Sequence, residues 1–117
     1  MGTWRMGLQG EYLRAIAEGG KKIEGRLYDE KRQKIRPGDT IIFENRLMCV
    51  VKDIRVYSSF GEMLEKEGLE NVLPGVESIE EGVRVYRRFY SEERERKYGV
   101  AAIEVEPVGW VGNQATE

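Results

Sequence analysis

The chain has 117 residues, 19 Lys and Arg against 21 Asp and Glu, one cysteine and no histidine. A Ser-His-Asp or Cys-His catalytic set, a zinc site with histidine ligands and a histidine-ligated haem are therefore excluded, and any proton transfer must use carboxylate, lysine, tyrosine or water. The length suits a single domain over residues 1–117. No stretch approaches the roughly 18 uninterrupted apolar residues of a membrane span, and the start, Met1-Gly2-Thr3-Trp4-Arg5, lacks a signal-like apolar run. A cytoplasmic protein without a membrane partner is expected. Of the acids 18 are Glu and three, Asp29, Asp39 and Asp53, are Asp, a composition suited to a thermophile's ion-paired surface.

The net charge of −2 conceals two unlike halves. Residues 1–58 carry 12 basic and 8 acidic side chains, net +4, and residues 59–117 carry 7 and 13, net −6. Seven of the basic residues lie between Lys21 and Arg36.

In chain order, Trp4, Met6 and Leu8 alternate with polar or small residues and predict a short strand. Gln9 to Glu18 places Leu13, Ile16 and Ala17 on one helical face, stopped by Gly19-Gly20. Lys22 to Leu27 alternates again, with Lys22, Glu24 and Arg26 on one side and Ile23 on the other. Residues 28–35 predict a short helix or turn, closed by Arg36-Pro37-Gly38-Asp39, where Gly38 permits the turn and Asp39 can cap backbone N–H groups. Thr40 to Glu44 and Leu47 to Tyr57 predict two strands joined by a tight Glu44-Asn45-Arg46 hairpin. Cys49, between Met48 and Val50, reads as a buried strand thiol.

The second half is helical. Ser59 with Glu62 and Ser78 with Glu81 form candidate capping boxes, and Ser91-Glu92-Glu93 opens a third helix that Gly99 ends. Val72 to Val76 predicts a turn between the first two. Val100 to Glu106 predicts a closing strand stopped by Pro107, with a loose tail in which Trp110 and Val111 pack down. Tyr86 and Phe89, at helical spacing, read as core, and Tyr90, beside Arg87 and Arg88, as a base-stacking candidate.

The run Gly20-Lys21-Lys22-Ile23-Glu24-Gly25-Arg26, followed at Gly38-Asp39 by a strand, resembles the pattern of the ASCH domain family. Lys21, Ile23, Glu24, Arg26, Gly38 and Asp39 carry the match, which extends over roughly residues 4–107. The resemblance implies an α+β fold, a small PUA-like mixed β-barrel with a helical insertion between the middle strands and the last strand, and a tail over residues 108–117. It also implies a cleft beside the Lys-Glu-Arg strand that takes RNA or a nucleotide-like ligand through Lys21, Lys22, Glu24 and Arg26, with Tyr90 stacking. Guanidinium suits phosphate, and a carboxylate accepts from a base amino or ribose hydroxyl.

Some compact members resemble amidohydrolases acting on an acylated nucleoside such as N4-acetylcytidine. They use a Lys and a Thr in the motif and a downstream Glu; Lys21 matches the first, but Glu24 stands where the threonine would. In that alternative Lys21 and Glu24 would be catalytic. Acidic helices at Glu62 to Glu70 or Glu77 to Glu81 offer a further, protein-binding possibility. No cofactor is expected, and no metal, since the acids show no spaced ligand cluster.

Overall fold

The structure, a computed structural model, describes residues 1–112. Five strands, β1 (Thr3–Met6), β2 (Ile23–Leu27), β3 (Thr40–Phe43), β4 (Leu47–Tyr57) and β5 (Val100–Trp110), form one sheet in the order β1-β3-β4-β5-β2. Only the β1–β3 pair is parallel. The sheet curls into a half-barrel of the PUA-like type, with β1 and β2 as its facing edges. Helix α1 (Gly10–Glu18) crosses from one edge to the other, and α2 (Phe60–Glu67), α3 (Leu69–Val72), α4 (Ile79–Arg87) and α5 (Glu92–Tyr98) form the insertion between β4 and β5. No described helix is long and apolar enough to cross a membrane.

Two apolar cores meet on β5. Ala101, Ile103 and Val105 pack with Leu13, Ile16, Ile41, Phe43 and Val51. The alternate residues Val100 and Ala102 pack with Ile23, Leu27, Phe60, Met63 and Tyr86. The period of two in β5 thus serves both sides of the sheet. Fully burying a side chain such as Phe60 or Ile103 contributes about 1.5–3 kcal/mol.

Local signals act as the chain chemistry requires. Ser59, Ser78 and Ser91 each accept the N–H three residues on, at 3.0, 3.1 and 3.1 Å. The return bonds of the capping boxes shift by one residue: Glu62 accepts from Ser58 N–H and Glu81 from Glu77 N–H. Glu44 and Asn45 both adopt positive φ, 56° and 55°, the backbone of a type I′ hairpin turn.

The turn expected at Val72 to Val76 is present at residues 73–75, preceded by a short helix, α3, that resumes at Leu69 after Gly68, at φ 95°. Two expectations change. The strand expected from Lys22 starts at Ile23, since Lys22 N–H turns aside to Asn71 O at 2.9 Å. Pro107 does not stop the last strand, which runs on to Trp110. Beyond Val105 only β4 lies beside β5, β2 having ended, so a residue without an N–H is tolerated there. The pairing shifts register between Met48 and Cys49, where Pro107 stands opposite Cys49. Of the expected loose tail, Gly109 and Trp110 are strand and residues 113–117 lie outside the described residues. Trp110 remains 51% exposed, with the Arg46 guanidinium 5.4 Å from its ring.

Candidate functional site

The two sheet edges do not pair. Arg26, on β2, crosses the seam and donates from Nη2 to Gly7 O, just beyond β1, at 2.8 Å. A cavity of about 420 Å³ opens there, lined by Leu8 and Tyr12 on one side, Glu24, Gly25 and Arg26 along β2, and Val85, Tyr86, Phe89 and Tyr90 from α4 and the turn after it. Its size falls in the range of small-molecule sites, roughly 300–1,000 Å³, and its lining is mostly apolar with a few convergent polar groups.

The polar end is a chain of buried charges. Helix α1 ends at Gly19, φ 90°, and the N–H groups of Gly20 and Lys21 return to Ala15 O, delivering Lys21 beneath the sheet edge at 1% exposure. Its ammonium donates to Ile23 O at 2.6 Å and to Val72 O, and meets Glu24 Oε1 at 2.9 Å. All three donors are used. Burial, reinforced by the Arg26 charge, pushes the Lys21 pKa down to about 7. The Glu24 carboxylate and the two carbonyls oppose that push. The other Glu24 oxygen pairs with Arg26 Nη1, which also donates to Gly25 O.

Lys21, Glu24 and Arg26 therefore come together, yet only Glu24 and Arg26 line the cavity. Lys21 is sealed behind Glu24. Lys22 is exposed and outside the lining, because the chain leaves the strand at that residue; the continuous Lys22-Glu24-Arg26 face does not form. Tyr90 lines the cavity, with its ring stacked 5.5 Å from that of Phe60.

Gly38 and Asp39 stand apart from the cavity. Gly38, at φ 93°, makes the turn, and the Asp39 carboxylate accepts from Gly2 N–H, Trp4 Nε1–H and Arg36 N–H, each at 2.9 Å. Those bonds, the indole's foremost, hold its pKa below the ordinary aspartate value.

Tyr86 is core, 5% exposed and stacked on Phe60 at 4.2 Å. Phe89 is not: it is 62% exposed at the cavity mouth. Helix α4 ends at Arg87, so the period that would carry Phe89 onto the face of Tyr86 is broken. Sequence reasoning passed over Tyr12, Gly25 and Tyr86 as site residues, and also Glu44, whose carboxylate accepts Leu8 N–H across the seam at 2.6 Å. Only the positive-φ tendency of a tight hairpin hinted that Glu44 was specially placed. Among the described residues no cluster of acids or cysteine could hold a metal ion.

The model of the ASCH domain matches residues 6–109. The crystal structure of the protein PH0355 is 72% identical, with a TM-score of 0.89 over 91% of this chain and 99% of that one. The solution structure of PF0455 from Pyrococcus furiosus is 69% identical, with a TM-score of 0.80 over 91% and 97%. A ZmASCH variant from Zymomonas mobilis shares the fold at 14% identity, TM-score 0.54, over 94% of this chain and 73% of its own. No curated protein matches. With nearly the whole sheet and every inserted helix inside the matched span, the chain belongs to the ASCH domain family.

Proposed function

We propose that the seam cavity binds one nucleoside unit, presented by RNA or as a nucleotide, and that the domain is a recognition module. The observation that carries this is the juxtaposition, in one cavity of about 420 Å³, of aromatic walls with a carboxylate and a guanidinium at the inner end. An aromatic and apolar wall suits the flat face of a base, Glu24 accepts from an amino, imino or hydroxyl group, and Arg26 donates to a carbonyl. Lys21 supports Glu24 from behind and does not touch the ligand. Lys22 has no part in the cavity.

Calorimetric titration with the four common nucleosides and their 5′-monophosphates tests this, with Glu24→Gln as the paired variant. Measurable binding to at least one nucleoside, weakened about tenfold or more by Glu24→Gln, is expected from loss of a charge-assisted hydrogen bond of about 1.5–3 kcal/mol. Binding that is absent, or indifferent to Glu24, overturns the proposal.

One observation favours the alternative of an amidohydrolase on an acylated nucleoside: a lysine held near neutrality, with a pKa of about 7, in direct contact with a carboxylate that lines the cavity. Such a pair can pass a proton. Incubation with N4-acetylcytidine separates the two. A recognition module releases no cytidine, whereas release that disappears in both Glu24→Gln and Lys21→Met transfers the assignment to hydrolysis.

A further inference from the structure

Resting on that reading of the cavity, we infer that Tyr86 is one of its ligand-binding residues: its hydroxyl donates to an acceptor on the bound base, beside the N–H that Glu24 receives. The cavity thereby selects a ligand that offers a donor and an acceptor side by side.

Two glycines bring the hydroxyl there. Helix α4 turns Gly82 and Tyr86, one turn apart, inward. A Cβ on Gly82 would stand 2.7 Å from Leu64 Cδ1, so its absence lets α4 lie directly on α2. Gly25 leaves the matching space on β2, where a Cβ would stand 2.8 Å from the Tyr86 oxygen. The Tyr86 ring rests on Phe60, which does not line the cavity. Gly25 does line it, as do Arg26, Tyr12 and Tyr90, the three groups whose charges act on the hydroxyl. Tyr86 thus turns its polar end toward the cavity and its ring face toward the core.

That end has nothing to bond. Tyr86 is 5% exposed, and its hydroxyl has no hydrogen-bond partner among the described residues. The other buried side-chain atom in that state, Arg32 Nε, belongs to a residue that does not line the cavity. A buried donor left unpaired costs its desolvation, so such groups are few in native structures and mark places where something else completes the bond. Burial pushes the Tyr86 pKa up. The hydroxyl therefore stays protonated, and its hydrogen turns about the C–O bond to meet an acceptor.

The other donors at the inner end are largely engaged. Lys21 is held by Glu24 and two carbonyls, and Arg26 by Glu24, Gly25 O and Gly7 O. The Glu24 carboxylate can only accept. Tyr86 supplies the uncommitted donor beside it, and a ligand without an acceptor at that point leaves the hydroxyl unpaired and is rejected on that account.

Calorimetric titration of wild type and Tyr86→Phe with the tightest-binding of the four common nucleosides tests this, together with thermal melts of both unliganded proteins. Tyr86→Phe should bind about threefold or more weakly while its Tm is unchanged or higher, an opposition that a merely structural role does not produce. Where that nucleoside is cytidine or adenosine, 3-deazacytidine or 1-deazaadenosine keeps the amine and replaces the neighbouring ring nitrogen by C–H. The deaza compound should bind the two proteins equally.

A loss in Tyr86→Phe smaller than about threefold, or a deaza compound that separates the two proteins as its parent does, overturns the inference. Glu24→Gln still weakens binding in that case, and the cavity reading stands. A lowered Tm with unchanged affinity likewise overturns it and assigns the hydroxyl to a structural bond with water. If no nucleoside binds the wild type, the cavity reading falls and this inference with it.

Discussion

The Tyr86 hydroxyl lies 2.8 Å from where a Cβ on Gly25 would stand, and no group among the described residues hydrogen-bonds it. Met63 Cε is nearer still to that position, at 2.7 Å. Gly25 is thus required by the close approach of α2 and α4 to the edge strand. Gly25→Ala should destabilise by about 1–3 kcal/mol through overpacking. Tyr86→Phe removes a buried hydroxyl that gains no bond from the protein, so it should leave Tm unchanged or raise it. It should also relieve part of the Gly25→Ala penalty. Thermal melts of both single variants and the double variant, read as a cycle, measure that coupling.

Below about pH 7, where the Lys21 ammonium is charged, Lys21→Met should cost about 3–5 kcal/mol, because Glu24 loses one of two buried counter-charges. The pH dependence carries the more specific signature. The folded lysine titrates at about 7 and the unfolded one at 10.5. Between those values the unfolded chain binds more protons, so stability rises with pH across the window. The rise should be present in the wild type and missing from Lys21→Met in urea titrations between pH 7 and 10.

Asp39 behaves in the opposite sense. Its folded pKa lies below the unfolded 3.8, so its contribution is complete above that value and is lost as the pH falls through the folded one. Asp39→Asn turns an amide N–H₂ toward donors from Gly2, Trp4 or Arg36. It should destabilise at neutral pH by about 1–3 kcal/mol and flatten the acid limb of the stability curve. Tryptophan fluorescence follows both effects, since Trp4 is itself one of the donors.

Cys49 is fully buried and desolvation pushes its thiol up to about 12. A thiol reagent such as DTNB should leave the native protein unmodified and label it at once in denaturant, so the labelling rate under native conditions reports global opening.

The readable parts of the fold were those decided within a few residues. Three serine caps, the Gly19 stop and the Glu44-Asn45-Arg46 turn depend on local hydrogen bonds and φ angles, and each stands where the sequence places it. That the closing strand lies between β4 and β2 is something no local rule could supply. The same holds of contacts decided by packing between distant segments. Pro107 is harmless only because β2 has ended beside it. Lys22 falls out of line with Glu24 and Arg26 because Asn71, nearly fifty residues on, takes its N–H.

A two-residue hairpin tip is ordinarily where a chain tolerates lengthening, cutting or a tag. Here Glu44 holds Leu8 N–H and Asn45 accepts from Arg5 Nη1 at 2.9 Å, so the tip of β3–β4 is fastened to the segment that enters α1. For protein engineering the β3–β4 connection is a clamp and not a spare loop. A sensor module or a permuted terminus inserted at Asn45 would release the mouth of the cavity along with the hairpin, whereas the exposed polar stretch around Glu30 and Lys31 carries no such fastening and is the better place to cut.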